Sequence, residues 1–345
     1  MDFLLDPEVT FLNHGSYGAC PAPVFARYQE LQRELERNPV EFLARRFDDL
    51  TAGSRAALAD FLGARPDDLV FVPNATAGLN AVIRSLRLEP GDQVLTTRHE
   101  YGAVTRTWEF MGARLVYAEP EELMDAIGPR TRAVSVSHIT SPTALVLPVA
   151  EICAAARAAG ALAIVDGAHA PGQLPLDLEA LGADVYAGNC HKWLCAPKGA
   201  GFLWARPEHQ RWIEPLVISW GYGADRTFAD RHGWQGTRDP AAALTIPAAI
   251  EAHNAFDLER CRRLAAAFHD RLPPCGPSPA PQMWATEVRT DAPEKLQRRL
   301  FDEHAIEVVV REWEGRSLLR VSIAPYNDEA DVERLLAALE SLTPR

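Results

Sequence analysis

Short apolar strands alternate with helices in the first half of the sequence, and this alternation constrains the fold more than any other feature. Strands are predicted at 69–72, 93–96, 114–117, 133–136 and 162–165. Helices are predicted at 79–86, from 102 towards 111, and at 149–159. Continuous apolar strands separated by helices are typical of a mainly parallel sheet covered on both faces. The sequence therefore predicts an α/β fold, and polar residues at the carboxyl ends of its strands are the first candidates for a ligand site.

The pattern changes beyond about residue 240. A long helix is predicted over 242–271, with Pro247 near its start or kinking it, followed by a stiff proline-rich loop at 273–281. Strand 284–289, helix 293–303, strands 306–311 and 318–323, and helix 328–341 come next. We therefore predict an N-terminal segment (1–20), a large domain (21–240), and a connector helix with a small C-terminal α+β domain (241–345).

Composition excludes several classes of protein and partner. The chain of 345 residues is 47% hydrophobic and 24% charged, which is typical of a globular protein. Its net charge of −12 argues against general electrostatic binding of nucleic acid or an anionic membrane. It has no apolar run of the roughly 20 residues that span a bilayer, no secretory signal features, and no zinc-type spacing among its six cysteines. These features predict a soluble, cytoplasmic protein with reduced thiols and no metal site.

Lysine is scarce, so chemistry that requires a side-chain amine has three candidates: Lys192, Lys198 and Lys295. Lys192 lies just after a short apolar stretch, beside apolar and aromatic residues. Burial would lower the pKa of its amine by disfavouring the charged form, and a neutral amine condenses with an aldehyde to give a Schiff base. The alternative is a lysine whose stem packs while its head reaches water. Lys198, in a Pro-Lys-Gly turn, and Lys295, in a polar helix, are poorer candidates.

Two further segments lie where such a lysine would need partners. Asp166 follows the strand at 162–165, where its carboxylate could meet the ring nitrogen of pyridoxal phosphate and keep that nitrogen protonated. His169 could donate to the phenolic oxygen of the ring. Segment 74–78 joins a strand to a helix, and free amide groups there, with the Thr76 hydroxyl, would form a phosphate cradle. The alternatives are an aspartate that caps the next helix and a simple helix N-cap.

Six stretches carry a resemblance that extends over nearly the whole chain: 12–18, 99–103, 166–169, 191–193, 235–239 and 320–327. The chain resembles the class V aminotransferase family of fold-type I pyridoxal phosphate enzymes. Within it, the chain looks most similar to the isopenicillin N epimerase-like branch, which also includes lyases. The resemblance implies a mainly parallel sheet of the seven-stranded type in the large domain, with a small C-terminal α+β domain.

The resemblance implies a role for each matching residue of the cofactor site. Lys192 would form the Schiff base and later shuttle the proton at Cα. Asp166 would hold the pyridine nitrogen, and His169 would contact the ring oxygen. Tyr101 would stack on the face of the ring, with His99 as the second choice. The residues implied at or near the phosphate are Ala75, Thr76, Asn189 and His191.

The resemblance also implies a substrate site and a second subunit. Arg320 matches the arginine that clamps the α-carboxylate of the substrate, a role that suits its bidentate fork; the alternative is an exposed strand arginine. Asn13 and His14 would line the substrate entrance, unless they form a structural N-terminal turn. Gly236 and Thr237 match a loop that in relatives reaches the phosphate of the neighbouring subunit, which implies a homodimer.

The sequence is compatible with three reactions at Cα. Epimerisation or racemisation of an amino acid or peptide ranks first because of the branch resemblance, a C–S lyase reaction on a cysteine conjugate is close behind, and transamination is the third. Epimerisation needs a second acid on the opposite face, for which Tyr17, Tyr101 and His14 are candidates. Residues 308–317 contain no cysteine, which argues against a persulfide-forming desulfurase.

Two other classes of function fit the sequence less well. A cofactor-free regulatory or scaffold domain would not need Lys192, Asp166 and Arg320 together. A nicotinamide oxidoreductase on a doubly wound sheet would carry a GxGxxG motif after a strand, with an acidic residue about twenty positions further on. The sequence lacks this combination.

Overall fold

A seven-stranded sheet and a three-stranded sheet organise the chain, which the computed structural model describes over residues 1–223 and 225–342. The strands are β1 (Thr10–Phe11), β2 (Leu69–Val72), β3 (Gln93–Thr96), β4 (Arg114–Tyr117), β5 (Thr131–Ser137), β6 (Leu162–Gly167), β7 (Val185–Asn189), β8 (Gly201–Ala205), β9 (Met283–Glu287), β10 (Ile306–Glu307), β11 (Val309–Trp313) and β12 (Arg316–Ser322).

Helices surround both sheets. The α-helices are α1 (His14–Tyr17), α2 (Ala22–Arg37), α3 (Phe47–Leu62), α4 (Ala75–Ser85), α5 (Gly102–Phe110), α6 (Val149–Ala158), α7 (Leu178–Leu181), α8 (Pro207–Gln210), α9 (Phe228–Gly233), α10 (Ala241–Leu244), α11 (Ile246–Asn254), α12 (Leu258–Ala267), α13 (Pro293–His304) and α14 (Glu329–Leu342). A π-helical segment spans Glu41–Arg46. None of these helices combines the length and hydrophobicity that crossing a bilayer requires.

The seven-stranded sheet confirms the predicted α/β fold. Its order is β2-β8-β7-β6-β5-β3-β4, and every neighbouring pair is parallel except the two pairs that β8 makes with β2 and β7. Alternate residues of β2 enter opposite cores: Leu69 and Phe71 pack on one face of the sheet, and Val70 and Val72 on the other. Burial on both faces explains why these strands are apolar throughout.

The topology brings three chain segments to one edge of this sheet. β6 and β7 are parallel and adjacent, with Asp166 opposite Ala187. β2 runs parallel to β7, because β8 is antiparallel to both. The segments that follow β2, β6 and β7 therefore leave the sheet at the same edge, and these are the start of α4, the turn after Asp166 and the loop that contains Lys192.

The C-terminal part packs α13 and α14 against an antiparallel sheet of order β11-β12-β9. The predicted single helix over 242–271 is wrong, because α10, α11 and α12 replace it. Pro247 lies in the first turn of α11, where its missing N–H is tolerated, and the Asp257 side chain accepts from the Arg260 amide to begin α12. The predicted strand at 306–311 is also two strands, β10 and β11. β10 pairs in parallel with β1, so the N-terminal segment adds a strand to the C-terminal part.

Candidate active site

A cavity of about 280 Å³ lies at the sheet edge where β6 and β7 end, and we call it the lysine cavity. Residues of the large sheet edge, of the N-terminal segment and of the β11-β12 hairpin meet there. The lining residues are Gly15, Ser16, Tyr17, Asn74, Ala75, Thr76, Tyr101, Ser137, Ile139, Ser141, Asp166, Ala168, His169, Asn189, His191, Lys192, Arg311 and Arg320. Nine residues that the sequence singled out for a cofactor or a substrate are thus brought together.

Lys192 contributes its amine to the interior of this cavity. Its Nζ lies 3.1 Å from Nε2 of His169. Burial is the largest influence on the amine, and the charges of Arg320 and Arg311 act in the same direction, so the pKa of Lys192 falls to about 7 although Asp166 opposes the shift. A lysine with this pKa presents a substantial neutral fraction at physiological pH, which a free lysine does not.

Trp193 fixes the hydrogen on the His169 ring. The indole Nε1 of Trp193 lies 3.4 Å from Nδ1 of His169, and an indole N–H can only donate. Burial holds the pKa of His169 well below its ordinary value, so the ring is neutral and carries its hydrogen on Nε2. Nε2 therefore donates to Lys192 Nζ, which accepts only as a neutral amine. The hydrogen-bond pattern and the lowered pKa of Lys192 agree.

Asp166 is the next-to-last residue of β6, and its carboxylate is buried. One of its oxygens, Oδ1, accepts from the Ala168 amide at 2.9 Å. Burial raises the pKa of Asp166, and the nearby charge of Lys192 opposes this rise. The alternative role as a cap of the next helix does not hold, because α7 begins at Leu178 and is capped by Asp177.

The start of α4 forms the other end of the cavity. The Asn74 side chain accepts from the Ala77 amide at 2.9 Å, so it is an N-cap, and Asn189 Oδ1 accepts from the Ala75 amide at 2.8 Å. The expectation of a free amide at Ala75 is therefore not met. Thr76 lines the cavity, and no hydrogen bond in the described ranges engages its hydroxyl. An anion here would meet Thr76 and the positive end of the α4 dipole.

His191 also lines the cavity. Its Nδ1 lies 3.2 Å from the Ala200 carbonyl oxygen, which holds the ring in place. Burial, with the charge of Lys192 as a smaller influence, lowers the pKa of His191 to about 4. His191 is thus a neutral ring that lines the cavity together with Thr76 and Asn189.

Arg320 is buried, so the alternative of an exposed strand arginine is excluded. One terminal nitrogen donates to the Ser141 carbonyl oxygen at 2.6 Å, and the other donates to the Ser16 hydroxyl at 3.0 Å. Its Nε is buried without a partner. Burial and the charge of Arg311 lower the pKa of Arg320. A fixed guanidinium with an unpaired donor in a cavity is suited to binding a carboxylate.

Several predicted residues lie away from the cavity wall. His14 is buried, with its ring between the Tyr326 hydroxyl and the Lys192 carbonyl oxygen at 3.0 Å each, and Asn13 donates to Glu307. These contacts favour the structural-turn alternative, and the next three residues, 15–17, line the cavity instead. His99 bonds to Thr143, and its ring packs on Trp313. Gly236 and Thr237 are not among the lining residues of this cavity.

Three residues of the cavity, Arg311, Ser16 and Ser141, are not among those that the sequence predicts for the site. Arg311 could have been found from the hairpin, because two-residue alternation from Arg320 through the turn places both arginines on one face of the sheet. Ser16 and Ser141 act by holding Arg320, and neither carries a local pattern that indicates this role. Ser141 follows a strand of the large sheet and meets Arg320 only through the tertiary fold.

Known proteins match this chain over most of its length. A family profile described as Aminotransferase class-V matches residues 13–273. The chain is 37% identical to an isopenicillin N epimerase of Amycolatopsis lactamdurans, with 98% of this chain and 96% of the relative covered. It is 30% identical to a probable chloroplastic L-cysteine desulfhydrase of Arabidopsis thaliana, with 73% and 60% covered. A solved cystine C–S lyase superposes with a TM-score of 0.86 at 23% identity, over 98% of this chain and 99% of that one.

The chain belongs to the class V aminotransferase family. It is an enzyme, and its cofactor is pyridoxal phosphate. The lysine cavity fits that cofactor on its own chemistry: Lys192 offers an amine to the aldehyde, Asp166 offers a buried carboxylate to the ring nitrogen, and α4 offers an anion site to the phosphate. The predicted family and fold are confirmed, whereas the roles of the individual site residues remain predictions.

Proposed function

We propose that this enzyme inverts the configuration at Cα of an amino acid or peptide, as an epimerase or racemase. The observation that carries the proposal is a lysine with a pKa near 7 that shares its cavity with two tyrosine hydroxyls. Support comes from the 37% identity to isopenicillin N epimerases, which covers nearly the whole of both chains.

The residues of the lysine cavity have separate roles in this proposal. Pyridoxal phosphate, when bound, supplies an electron-withdrawing ring that stabilises negative charge at Cα. Asp166 keeps the ring nitrogen protonated, and Arg320 binds the α-carboxylate and so fixes which bond at Cα faces Lys192. Lys192 moves the Cα proton, for which a pKa near the working pH is favourable.

Inversion needs a proton donor on the face of Cα opposite Lys192. Tyr17 and Tyr101 both line the cavity and are 72% and 48% exposed, so their hydroxyls can exchange protons with solvent. The third candidate, His14, is buried, and burial lowers its pKa to about 4. We assign the opposite-face donor to one of the two tyrosines, and Tyr101 is also the residue proposed to stack on the ring.

A second copy of the chain completes the proposed enzyme. A larger cavity of about 890 Å³, which we call the Trp220 cavity, lies beside an exposed apolar segment at 216–222, and Thr237 is among its lining residues. Trp220 itself is 90% exposed. Gly236 has φ +95°, in the region that favours glycine, and with Thr237 forms the loop proposed to reach the phosphate of the partner.

Two further expectations belong with this proposal. The six cysteines are free thiols, which supports a reducing compartment such as the cytoplasm. The division into residues 1–20, 21–240 and 241–345 is proposed as the domain organisation, with the added feature that β1 of the first segment pairs with β10 of the last.

The test is proton exchange at Cα. The enzyme is incubated in deuterated water with a panel of L- and D-amino acids and short peptides, and Cα deuterium, chirality and pyruvate are followed. We expect deuterium at Cα with loss of chirality, and loss of both signals in Lys192→Ala but not in Lys295→Ala, whose side chain is exposed. Retained exchange in Lys192→Ala would contradict the assignment of the base. Tyr17→Phe and Tyr101→Phe identify the second donor. The variant that lacks this donor should lose inversion but keep exchange of the Cα proton from one enantiomer.

A C–S lyase reaction is the second candidate. The observation that favours it is the 30% identity to a probable L-cysteine desulfhydrase. In the same panel, pyruvate released from cysteine conjugates without racemisation would replace the epimerase proposal. A persulfide carried by the enzyme is not part of this alternative, because none of the residues that line the lysine cavity is a cysteine.

A further inference from the structure

The β11-β12 hairpin places two arginines on one face of its sheet. Val309 pairs with Arg320 and Arg311 pairs with Leu318. Side chains opposite each other share a face, and alternate residues of a strand do too, so Arg311 is the diagonal neighbour of Arg320, about 7–8 Å away. Both side chains line the lysine cavity.

The two guanidinium groups differ in what holds them. Arg320 donates to Ser141 and Ser16, which fix its orientation. Over residues 1–223 and 225–342, the Arg311 side chain has no hydrogen bond and no ion pair to protein, and its Nε is buried without a partner. Leaving a buried donor unpaired costs free energy, so an unpaired guanidinium in a ligand cavity indicates an anion that is supplied from outside the chain.

The charges of the cavity support the same conclusion. Among the described residues that line the cavity, two guanidinium groups, those of Arg311 and Arg320, face one carboxylate, that of Asp166. Arg311 acts on its neighbours as a like charge, because it lowers the pKa of both Lys192 and Arg320. An α-carboxylate bound at Arg320 would neutralise one guanidinium and leave the other. The cofactor phosphate is proposed at Thr76, in the first turn of α4, whereas Arg311 lies on the small sheet beside Arg320.

Tyr17 and Tyr101 show on which side of the cavity Arg311 lies. Both phenols are close enough to influence its guanidinium, and both are substantially exposed. Arg311 is therefore on the side of the cavity that opens to solvent, where the side chain of a substrate held at Arg320 would extend.

We infer that Arg311 binds a second anionic group of the substrate, so that the substrate is an amino acid or peptide with a distal acidic group in addition to its α-carboxylate. This inference rests on the proposed function, since it assumes that a substrate α-carboxylate occupies Arg320. Arg311 is then the residue that determines specificity for an acidic side chain.

The test uses probes without an amino group, so that no reaction at Cα follows binding. Dissociation constants of the holoenzyme are measured by calorimetry for two pairs of equal chain length, glutarate against pentanoate and adipate against hexanoate. We expect the wild type to bind the better dicarboxylate about tenfold or more tightly than its monocarboxylate. Arg311→Met should reduce this ratio to about twofold or less and leave monocarboxylate binding within about twofold, because Arg320 is intact.

Arg316→Met is the matched control, because Arg316 lies on the same hairpin but stacks on Trp313 outside the cavity. The control should keep the wild-type ratio. The inference is overturned if the wild type shows no preference for either dicarboxylate, if Arg311→Met keeps the preference, or if Arg311→Met weakens monocarboxylates equally. It is also overturned if the main effect of Arg311→Met is weaker binding of pyridoxal phosphate, which would assign Arg311 to the cofactor.

The binding results for the dicarboxylates do not depend on which reaction the enzyme catalyses at Cα. An enzyme that binds dicarboxylates through Arg311 but does not exchange the Cα proton keeps the inference and refutes the proposed epimerase. An epimerase that acts on neutral substrates and ignores dicarboxylates keeps the proposed function and refutes the inference.

Discussion

Two cavities of this enzyme, the lysine cavity and the Trp220 cavity, differ in size and in the side chains that surround them. The lysine cavity has about 280 Å³ and collects a lysine, two arginines, an aspartate and two neutral histidines. The Trp220 cavity has about 890 Å³ and lies beside an exposed apolar segment. The larger of these two cavities is therefore not the one that contains Lys192, Asp166 and Arg320. We propose the first cavity as the reaction site because buried ionisable groups line it, and the second as a surface for a partner because exposed apolar side chains lie beside it.

Arg320→Met should have the largest effect of these substitutions. We expect this effect on carboxylate binding in the lysine cavity. Removing the guanidinium leaves a bound carboxylate without its partner, which costs about 2–5 kcal/mol, or about thirtyfold to several thousandfold in the dissociation constant. The measurement is calorimetry of the holoenzyme with pentanoate. Unchanged affinity would show that the carboxylate binds elsewhere, and Arg289→Met, on the loop after β9 and outside the lysine cavity, serves as the control.

Glu100→Gln tests the buried charge behind the same cavity. Thr97 and Ser137 donate to the Glu100 carboxylate, yet burial raises its pKa to about 7 from 4.5. The Glu100 carboxyl thus ionises at lower pH in the unfolded chain than in the folded one. Its ionisation therefore has no effect on the free energy of unfolding below pH 4.5 and lowers that free energy increasingly up to pH 7. The unfolding free energy of Glu100→Gln relative to wild type should therefore rise by about 3 kcal/mol between pH 4.5 and pH 8.

The readout is denaturant unfolding of both proteins across this pH range. Glu109→Gln provides the control, since Glu109 is exposed on α5 and its difference from wild type should stay flat with pH. A constant difference for Glu100→Gln as well would mean that the Glu100 carboxyl ionises as it does in the unfolded chain.

Trp220→Ser should act on the other cavity. If a second copy covers this surface, loss of an aromatic anchor raises the dimer dissociation constant by about thirtyfold or more. Analytical ultracentrifugation measures this constant. Phe110→Ser removes another exposed aromatic ring, from α5, and should leave association unchanged. A wild type that is monomeric at all concentrations would contradict the proposal that the Trp220 cavity lies at a subunit interface.

Trp193→Phe should have the smallest effect and tests the hydrogen-bond order inside the lysine cavity. Without the indole N–H, His169 can carry its hydrogen on Nδ1 and accept from a charged Lys192, so the pKa of Lys192 should rise. The rate at which the apoprotein captures pyridoxal phosphate should then fall about threefold at pH 7. Trp108→Phe is the control, because it loses a buried indole bond to Ser135 instead. An equal effect in both variants would assign the change to packing.

Local patterns were sufficient for the elements that carry the chemistry. The strands at 69–72, 93–96 and 114–117 have the predicted bounds, because each is a short run enriched in apolar residues between turn signals. Lys192 and Asp166 could be singled out because each is a polar residue placed next to buried chain. β8 was not predicted, since it is antiparallel and follows β7 without an intervening helix.

Features that depend on tertiary contact could not be predicted from the sequence. The hydrogen on His169 is set by Trp193, and the orientation of Arg320 is set by Ser16 and Ser141, which come from distant segments. His14 matched a family motif, but only the fold shows that its ring is enclosed between Tyr326 and the Lys192 backbone. Spacing along the chain carries no information about such partners.

The central claim is that Lys192, and neither Lys198 nor Lys295, holds the cofactor. The most direct measurement is reduction of the yellow holoenzyme with borohydride, followed by peptide mass spectrometry. We expect that the colour is bleached and that the mass of the reduced cofactor is found on the peptide containing Lys192, and on no peptide of Lys192→Ala. A label on Lys198 or Lys295, or a colourless protein that takes up no pyridoxal phosphate, would contradict it.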